Sequence, residues 1–424
     1  MTKTSNARRG IPALRSRNYQ LFFAGQGISL IGTWMTQVAT VWLVYQLTNS
    51  ALLLGVSGFV GQIPSLFLSP FGGVLVDRLN TRKILISTQV LAMMQSLALA
   101  ALALTGTINI GQIIFLSLFQ GVINALDAPA RQTFVTEIVE KREDLASAIA
   151  LNSSLVNGGR LIGPAIAGVV IAKVGSGYCF LIDGLSYIAV IAALLAMRLN
   201  TKRKSTPTGS ALARVKAGFV YAFGFPPIRA ILQLLALFSL VAMPYVTLLP
   251  VFATKILKGD AHTLGFIMAA SGIGALFGGA YLSTRKSVVG LGNVIALAPA
   301  ICGVGIVAFA VSRTLWFSLL MCFVIGLGSI LLISSSNILI QTLVEDDKRG
   351  RVMSIFTMSF LGIVPFGNLL TGIAADRIGA TNTLVVGGGL CIAATIVFSQ
   401  QLPALRQIVR PLYQKIGLLP SVDT

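Results

Sequence analysis

Long apolar segments dominate this chain of 424 residues and constrain its fold more than any other feature. A helix needs about 20 apolar residues to cross the hydrocarbon core of a bilayer. Unpaired backbone groups are too costly in lipid, and the apolar density is too high for barrel strands, so each segment is predicted to be a transmembrane helix. Twelve spans are predicted, at 19–45, 51–76, 84–105, 109–131, 145–172, 178–199, 229–253, 262–284, 288–311, 315–341, 352–375 and 381–402.

The composition excludes a soluble enzyme, a secreted domain and a disordered chain. Hydrophobic residues make up 55% of the chain and charged residues 11%, whereas a soluble domain has about 25% charged residues. The net charge of +19 could suggest nucleic acid, but the basic residues lie in short clusters between apolar spans. We therefore expect the lipid bilayer as a partner and no nucleic acid. Without a Gly-Lys dipeptide, and with His262 as its single histidine, the sequence predicts no P-loop, metal site or cofactor, and no enzyme activity.

The basic residues also predict the orientation of the chain. Of its 32 Lys and Arg residues, 26 fall in the N-terminal tail, in alternate loops and in the C-terminal tail. Because cytoplasmic loops of membrane proteins are enriched in Lys and Arg, both termini are predicted to be cytoplasmic.

Two glycine-containing motifs of the first half recur in the second half. Gly72, in a Phe-Gly-Gly triplet, recurs as Gly278, 206 residues later, and Gly121, which precedes a Val-Glu pair, recurs as Gly326, 205 residues later. The nearly equal offsets predict two related six-helix halves, a design in which secondary transporters hold their substrate near the midplane. The predicted domains are an N-tail at 1–18, a six-helix bundle at 19–199, a cytoplasmic linker at 200–228, a second bundle at 229–402 and a C-tail at 403–424.

Polar side chains form a stripe along the first span and another along the fourth. Each stripe lies within an arc of roughly 80°, and a polar side chain in lipid needs a cavity or a partner. We predict a water-filled substrate path; the alternative is hydrogen bonding between helices without a path. The substrate-path candidates are Gln26, Thr33, Gln37, Ser117, Gln120, Asn124 and, on the tenth span, Asn337 and Gln341.

Ionisable residues within the spans are candidates for proton coupling. A charge at mid-bilayer costs a few kcal/mol, so such a residue is usually paired, solvated or used. Asp127 and Arg131 are four residues apart and can pair on one helix face, and we expect Arg160 to pair with Asp127 or Glu137. The alternative to a proton carrier is a permanent structural ion pair. The four candidates are Asp127, Arg131, Arg160 and Asp183.

The loop after the second span resembles the signature loop of the major facilitator superfamily. Asn80 stands where the family has its second glycine, and asparagine also accepts a left-handed backbone. The resemblance implies an all-α membrane protein with the twelve-helix major facilitator fold, two six-helix bundles related by pseudo-two-fold symmetry. It also implies a cytoplasmic gate, for which the matching residues are Gly73, Asp77, Arg78, Arg82 and Lys83.

Two further stretches narrow the resemblance. The fifth span is similar to the family's antiporter motif, which marks exporters rather than symporters; the matching residues are Gly159, Gly163, Pro164 and Gly168. The segments 14–26 and 127–132 resemble the bacterial branch of enterobactin-exporter-like, secretion-effector facilitators. Many drug/proton facilitators have an arginine where this chain has Ser117, so Arg131 or Arg160 would have to replace it in a proton relay.

These observations predict a monomeric secondary transporter of the bacterial inner membrane. It is expected to export a small amphipathic molecule, siderophore- or drug-like, in exchange for protons by alternating access. An uncoupled facilitator or a lysophospholipid-type flippase is one alternative. A non-transporting scaffold or receptor is another, against which the short loops argue.

Overall fold

The computed structural model describes residues 12–139, 144–198, 211–285 and 287–415. After a short 3-10 helix at Pro12–Arg15, the first half consists of α1 (Arg17–Thr48), α2 (Ala51–Arg78), α3 (Thr81–Leu104), α4 (Ile110–Ile138), α5 (Leu145–Val174) and α6 (Ser176–Ala196). The second half consists of α7 (Ala211–Gly224), α8 (Pro226–Val241), α9 (Tyr245–Val251), α10 (Ala261–Thr284), α11 (Leu291–Val311), α12 (Leu315–Leu343), α13 (Asp346–Phe360), α14 (Val364–Ile378) and α15 (Ala380–Lys415).

Twelve helical segments are long and apolar enough to cross a membrane, which confirms the predicted spans and the all-α fold. One face of the molecule, where α6 ends and α8 begins, is called the linker face here. The opposite face, where α1 ends and α2 begins, is called the far face. Because successive spans alternate in direction, α4, α12 and α15 end at the linker face, and α5 and α14 end at the far face.

Two spans of the second half are interrupted, which hydropathy did not predict. The seventh span breaks between α8 and α9 just before Tyr245 and then continues as a π-helix at Phe252–Ile256. The eleventh breaks between α13 and α14. Pro244 and Pro365 adjoin these breaks, and proline lacks the N–H that would continue the helical ladder. The residues on both sides are apolar, so the breaks leave no trace in a hydropathy pattern.

The structure also differs from the predicted boundaries at two places. Within the predicted linker, residues 211–224 form α7, which packs against α13. The last helix continues to Lys415, past the predicted end of its span at residue 402. The added part of α15 is amphipathic, with Leu402, Leu405 and Val409 at helical spacing. Because polar residues lie between these apolar ones, uniform hydropathy predicts an end of the span at residue 402.

The glycine repeat found in the sequence corresponds to one helix crossing made twice. Gly121 of α4 meets the carbonyl oxygen of Gly61 on α2, where an added Cβ would lie 2.6 Å away. Gly326 of α12 meets the Ser271 carbonyl oxygen of α10 in the same way, also too closely for any side chain. Gly72 and Gly278 pack at the other end of the same two crossings, against α4 and α12. Small residues let helices approach this closely in membranes, so the repeat marks equivalent contacts in the two bundles.

Close contacts between the two bundles lie towards the far face. Gly55 of α2 crosses Gly372 of α14; a Cβ at Gly55 would be 2.9 Å from the Gly372 Cα. Gly168 of α5 crosses Gly265 of α10, where the corresponding distance is 3.1 Å. Asn368 of α14 lies next to the first crossing, and its side-chain oxygen accepts a hydrogen bond of 3.0 Å from Thr247 of α9. At both crossings, close to the far face, the two bundles therefore meet through main-chain contacts between glycines.

Candidate functional site

A buried ion pair on α4 connects three helices of the first bundle. The carboxylate of Asp127, which is only 6% exposed, pairs with Arg131 one turn later. Its Oδ1 also accepts hydrogen bonds of 2.9 Å from Thr88 Oγ1 and 2.8 Å from Gln89 Nε2, both on α3. Arg131 Nη1 donates to Gln26 Oε1 of α1 at 2.9 Å. Each charge is thus compensated, and the pair holds α1, α3 and α4 in register.

This ion pair lies beside a cavity of about 310 Å³ between α4 and α5. The cavity is lined by Asn124, Asp127, Ala128, Arg131, Gln132 and Asn152. Gln120 Nε2 donates to Asn124 Oδ1 at 3.0 Å, so it continues the polar stripe of α4 away from the linker face. Ser117 is half-buried farther along α4, near Gly61. The stripe therefore faces a space that water can enter rather than a packed interior.

The other predicted path residues also have partly or fully exposed side chains. Thr33 and Gln37 of α1 are exposed, and the Thr33 hydroxyl donates to the Ser29 carbonyl oxygen of its own helix at 3.0 Å. On α12, Asn337 is half-buried and Gln341 is exposed, and Gln341 donates to Asn337. The side chains of Asn337 and Gln341 on α12 are thus hydrogen-bonded to each other, along their own helix.

Asp183 lies apart from this cavity, in the packed interface of α1, α3 and α6. It is 2% exposed, and its Oδ2 accepts hydrogen bonds from Thr36 at 2.9 Å and from Ser96 at 3.0 Å. Its Oδ1 has no hydrogen-bond partner among the residues that the structure describes. Gly32 makes room for this carboxylate, since a Cβ there would lie 2.8 Å from Oδ1.

Sequence reasoning missed the hydroxyl and amide groups that hold the two acids. Thr88 and Gln89 bond Asp127 and Ser96 bonds Asp183, and all three lie on α3. These three residues are 0–2% exposed. A polar side chain in an apolar span needs a partner. The presence of these three polar residues in the apolar third span is therefore the sequence feature that indicates their role.

Arg160 does not form the ion pair expected of it. Asp127 pairs with Arg131, and Glu137 accepts a hydrogen bond of 2.9 Å from Thr81. The guanidinium carbon of Arg160 instead lies 6.0 Å from the ring centroid of Trp34 on α1. Its carbonyl oxygen lies at the crossing of α5 with α10, beside Gly272. Within the described ranges no carboxylate pairs with Arg160, which places an uncompensated cation between the bundles.

The hydrogen bonds that the described residues of the signature loop form with Leu195 and Asn80 lie within the first bundle. Arg82 Nη2 donates to the Leu195 carbonyl oxygen at the end of α6, at 2.9 Å. Asn80 does not adopt the expected left-handed backbone: its φ is −71°, and its side chain caps α3 by accepting from the Lys83 backbone N–H at 3.2 Å. Gly73 has open space around it and Arg78 is exposed. The side chain of Asp77 lies outside the described residues.

The antiporter-like motif of α5 packs in two directions. Gly159 and Gly163 face α1, where a Cβ at Gly163 would lie 2.5 Å from Trp34 Cβ. Gly168 faces α10 of the other bundle, and the carbonyl oxygen of Pro164 points at Gly265. The motif therefore fixes α5 to its own bundle at one end and forms part of the far-face contact at the other.

A capping group completes the far-face end of α10. The Asp260 carboxylate accepts from the backbone N–H groups of His262 at 3.0 Å and Thr263 at 3.3 Å. It also bonds the His262 ring nitrogen Nδ1 at 3.0 Å, and this hydrogen bond lowers the pKa of Asp260.

Comparisons with known proteins agree on the family and the fold. A sequence model of the family described as transmembrane secretion effector matches residues 10–412. The staphyloferrin A transporter of Staphylococcus aureus is 28% identical over 379 residues, which cover 89% of this chain and 94% of the relative. The multidrug efflux pump Tap of Mycolicibacterium fortuitum is 27% identical over 396 residues, covering 89% and 93%. Macrolide efflux protein A of Streptococcus pyogenes is 23% identical over 391 residues, covering 89% and 94%.

Solved structures of transporters have the same fold. A POT family transporter superposes with a TM-score of 0.73 at 13% identity, covering 92% of this chain and 97% of that one. A bacterial homologue of the human lysosomal transporter Spinster, in an inward-facing and unoccupied conformation, superposes with a TM-score of 0.68 at 13% identity, covering 95% and 98%.

Proposed function

Because the chain belongs to the transmembrane secretion effector family, and is therefore a multi-pass membrane transporter of the major facilitator type, we propose that it is a proton-coupled exporter. Its cargo is a small amphipathic molecule, siderophore- or drug-like. Relatives described as a staphyloferrin A transporter and as drug efflux pumps support the direction and the cargo class. Such a transporter is not an enzyme and uses a gradient rather than bound ATP.

One observation carries this proposal: the polar cavity beside Asp127 and Arg131 lies towards the linker face, while Gly55–Gly372 and Gly168–Gly265 seal the far face. A molecule can then enter from the linker face but cannot leave at the far face. Because the basic residues favour a cytoplasmic linker face, with both termini in the cytoplasm of a bacterial inner-membrane protein, this is the state in which an exporter loads its cargo.

Alternating access would exchange this seal for one at the linker face. The far-face glycine crossings separate, and the linker-face ends of the bundles approach each other. In our proposal Asp77, Arg78, Arg82 and Lys83 then form the cytoplasmic gate by reaching the second bundle. Arg82 has to release the Leu195 carbonyl oxygen, which it holds in the present state.

For proton coupling we propose Asp127 as the carrier. Asp127 is next to the cavity and pairs with Arg131, so a proton that neutralises the carboxylate would free the guanidinium. The proton and the Arg131 guanidinium thus compete for one carboxylate, and a cargo that binds the freed guanidinium would be coupled to the proton. Asp183 has no contact with the cavity and holds α1, α3 and α6 together, which favours a structural role. Arg160 and Trp34 would contact the cargo between the bundles.

We further propose that a single chain is the working unit, with a substrate path that opens from the cavity of the first bundle into the space between its own two bundles. The two bundles, at 19–199 and 229–402, would move as the two bodies of the transport cycle. The tails at 1–18 and 403–424 and the linker at 200–228 would lie on the cytoplasmic side.

Transport into inside-out vesicles tests the proposal. Uptake of a panel of dyes, macrolides and carboxylate or catecholate siderophores is measured with and without a pH gradient, for the native chain, Asp127→Asn and Asp183→Asn. We expect gradient-driven uptake of at least one compound, its loss in Asp127→Asn, and its retention in Asp183→Asn.

Two other outcomes separate the alternatives. Uptake that is independent of the gradient, and equal in both variants, would indicate an uncoupled facilitator or a lysophospholipid flippase. No uptake or flipping of any compound by a folded protein would contradict a transport function and favour a scaffold or receptor.

A further inference from the structure

A second, larger cavity of about 480 Å³ lies within the second bundle at the linker face. It is bounded by the start of α8, the start of α11, the end of α12 and the last part of α15. Most of its lining is apolar, and Phe398 and Val409 are among the buried lining residues. It is separate from the cavity next to Asp127, which belongs to the first bundle. The transport mechanism proposed above makes no use of it.

The lining changes from apolar to basic along α15. Phe398, Leu402 and Leu405 lie deeper, and Arg406 and Arg410 follow one turn apart towards the end of the helix. The distance from residue 398 to residue 410 along the helix axis is about 18 Å. The change occurs where the uniformly apolar sequence of the last span ends, at residue 402. This is the level at which hydrocarbon gives way to lipid headgroups.

No acid neutralises these two arginines within the described part of the chain. Arg406 donates to the side-chain oxygen of Asn293, an uncharged group. Arg410 has neither a hydrogen bond nor an ion pair there, and both side chains are exposed. Asp127 and Glu345 form ion pairs elsewhere, with Arg131 and Lys348. Among the described residues, the two positive charges at the mouth of the cavity therefore have no negative partner, and an apolar interior lies below them.

We propose that this cavity binds an anionic phospholipid, with the phosphate at Arg406 and Arg410 and an acyl chain in the apolar interior. Arginine is well suited to phosphate because its guanidinium forms charge-assisted, often bidentate hydrogen bonds. A free phosphate would explain the arginines but not the apolar lining, and a neutral lipid would explain the lining but not the unpaired arginines. The inference is independent of the direction of transport and of proton coupling.

Lipid titrations monitored by native mass spectrometry test the proposal on the full chain in neutral detergent. The probes are dioleoyl phosphatidylglycerol, dioleoyl phosphatidylcholine and glycerol phosphate. One phosphatidylglycerol should bind more tightly than phosphatidylcholine, and glycerol phosphate should not bind or compete. A hydrogen bond between a guanidinium and a phosphate strengthens binding by roughly tenfold or more, so the double variant Arg406→Gln/Arg410→Gln should bind phosphatidylglycerol about 100-fold more weakly.

The matched control is Arg17→Gln/Arg198→Gln, which removes two exposed arginines from the same face of the first bundle. It should retain the affinity for phosphatidylglycerol. Leu405→Trp fills part of the cavity without changing charge, and it should weaken the binding of both lipids. Because Arg406 and Arg410 are exposed, their replacement leaves the packing of the bundle unchanged.

Three results would overturn the proposal. One is an equal loss of phosphatidylglycerol affinity in the two double variants, which would indicate nonspecific attraction to the whole face. Another is equal affinity of the native chain for both lipids. The third is binding that appears only when the chain is shortened to end at Lys415, which would assign the cavity to residues 416–424 rather than to a lipid.

Discussion

The crossing of Gly168 and Gly265 allows a quantitative prediction about the far-face seal. In Gly265→Ala, the new Cβ would lie 2.7 Å from the Pro164 carbonyl oxygen and 2.9 Å from the Gly168 Cα. An ordinary contact is at least 3.4 Å, so α5 and α10 must separate by about 0.7 Å at this point. Overpacking of this kind costs about 1–3 kcal/mol. The cost falls only on the state with a closed far face, because the two helices belong to different bundles.

The expected result is a shift towards the state with an open far face, by about 5- to 150-fold. Spin labels at Thr107 and Thr314 report it, since both residues are exposed in far-face loops of different bundles. The native cysteines are buried and do not compete for the label. Pulsed electron spin resonance should show a longer distance population in the variant than in the native chain.

The control is Gly158→Ala on α5, the helix that Gly265 contacts, at a position where a Cβ meets nothing within 4 Å. Replacing glycine by alanine stabilises a helix by up to about 1 kcal/mol, so the control separates this gain from the clash. Should Gly265→Ala and Gly158→Ala give the same distance distribution and the same transport rate, the glycine crossing does not hold the far face closed.

Three further predictions concern packing and capping. Gly121→Ala and Gly326→Ala should each lower the free energy of unfolding by about 1–3 kcal/mol, measured by thermal unfolding in detergent; a loss confined to one of them would contradict the equivalence of the two crossings. Gly32→Ala should destabilise the protein by a similar amount, because its Cβ would lie 2.8 Å from the Asp183 carboxylate, and combining it with Asp183→Ala should restore part of the loss. Asp260→Ala should cost about 1 kcal/mol at neutral pH through loss of the N-cap. The pKa of Asp260 is lowered in the folded protein. The stabilisation of the protein by this carboxylate is therefore present above the unfolded-state pKa and is lost as the pH falls through the folded-state pKa. The thermal midpoints of the variant and the native chain should converge in acid, and a difference that stays constant with pH would refute the capping role of Asp260.

The spans and the repeat could be predicted because both depend on local sequence. Apolar length alone places α1 to α6, and glycine at a fixed offset indicates the equivalent crossings at Gly121 and Gly326. The breaks before Tyr245 and Val364 could not be predicted in the same way, because apolar residues flank them on both sides.

The sequence predicted the site contact that lies within one helix and missed contacts that depend on the packing of several helices. The pairing of Asp127 with Arg131 follows from helical spacing, so the sequence was sufficient. The position of Asp183 between α1 and α3 depends on which helices are neighbours, information that no single helix contains. The expected partner of Arg160 was wrong for the same reason: charge complementarity suggested an acid, whereas the packing of α5 on α1 supplied an aromatic ring.

A far face closed by glycines has a consequence for the evolution of this transporter. Glycine has no side chain to shorten, so every substitution at Gly55, Gly168, Gly265 or Gly372 adds atoms at a main-chain contact. Random mutation at these positions therefore acts in one direction, and weakens the closed arrangement each time. Variants with a tighter closure have to arise elsewhere, for instance around Asn368 and Thr247, where side chains remain to be exchanged.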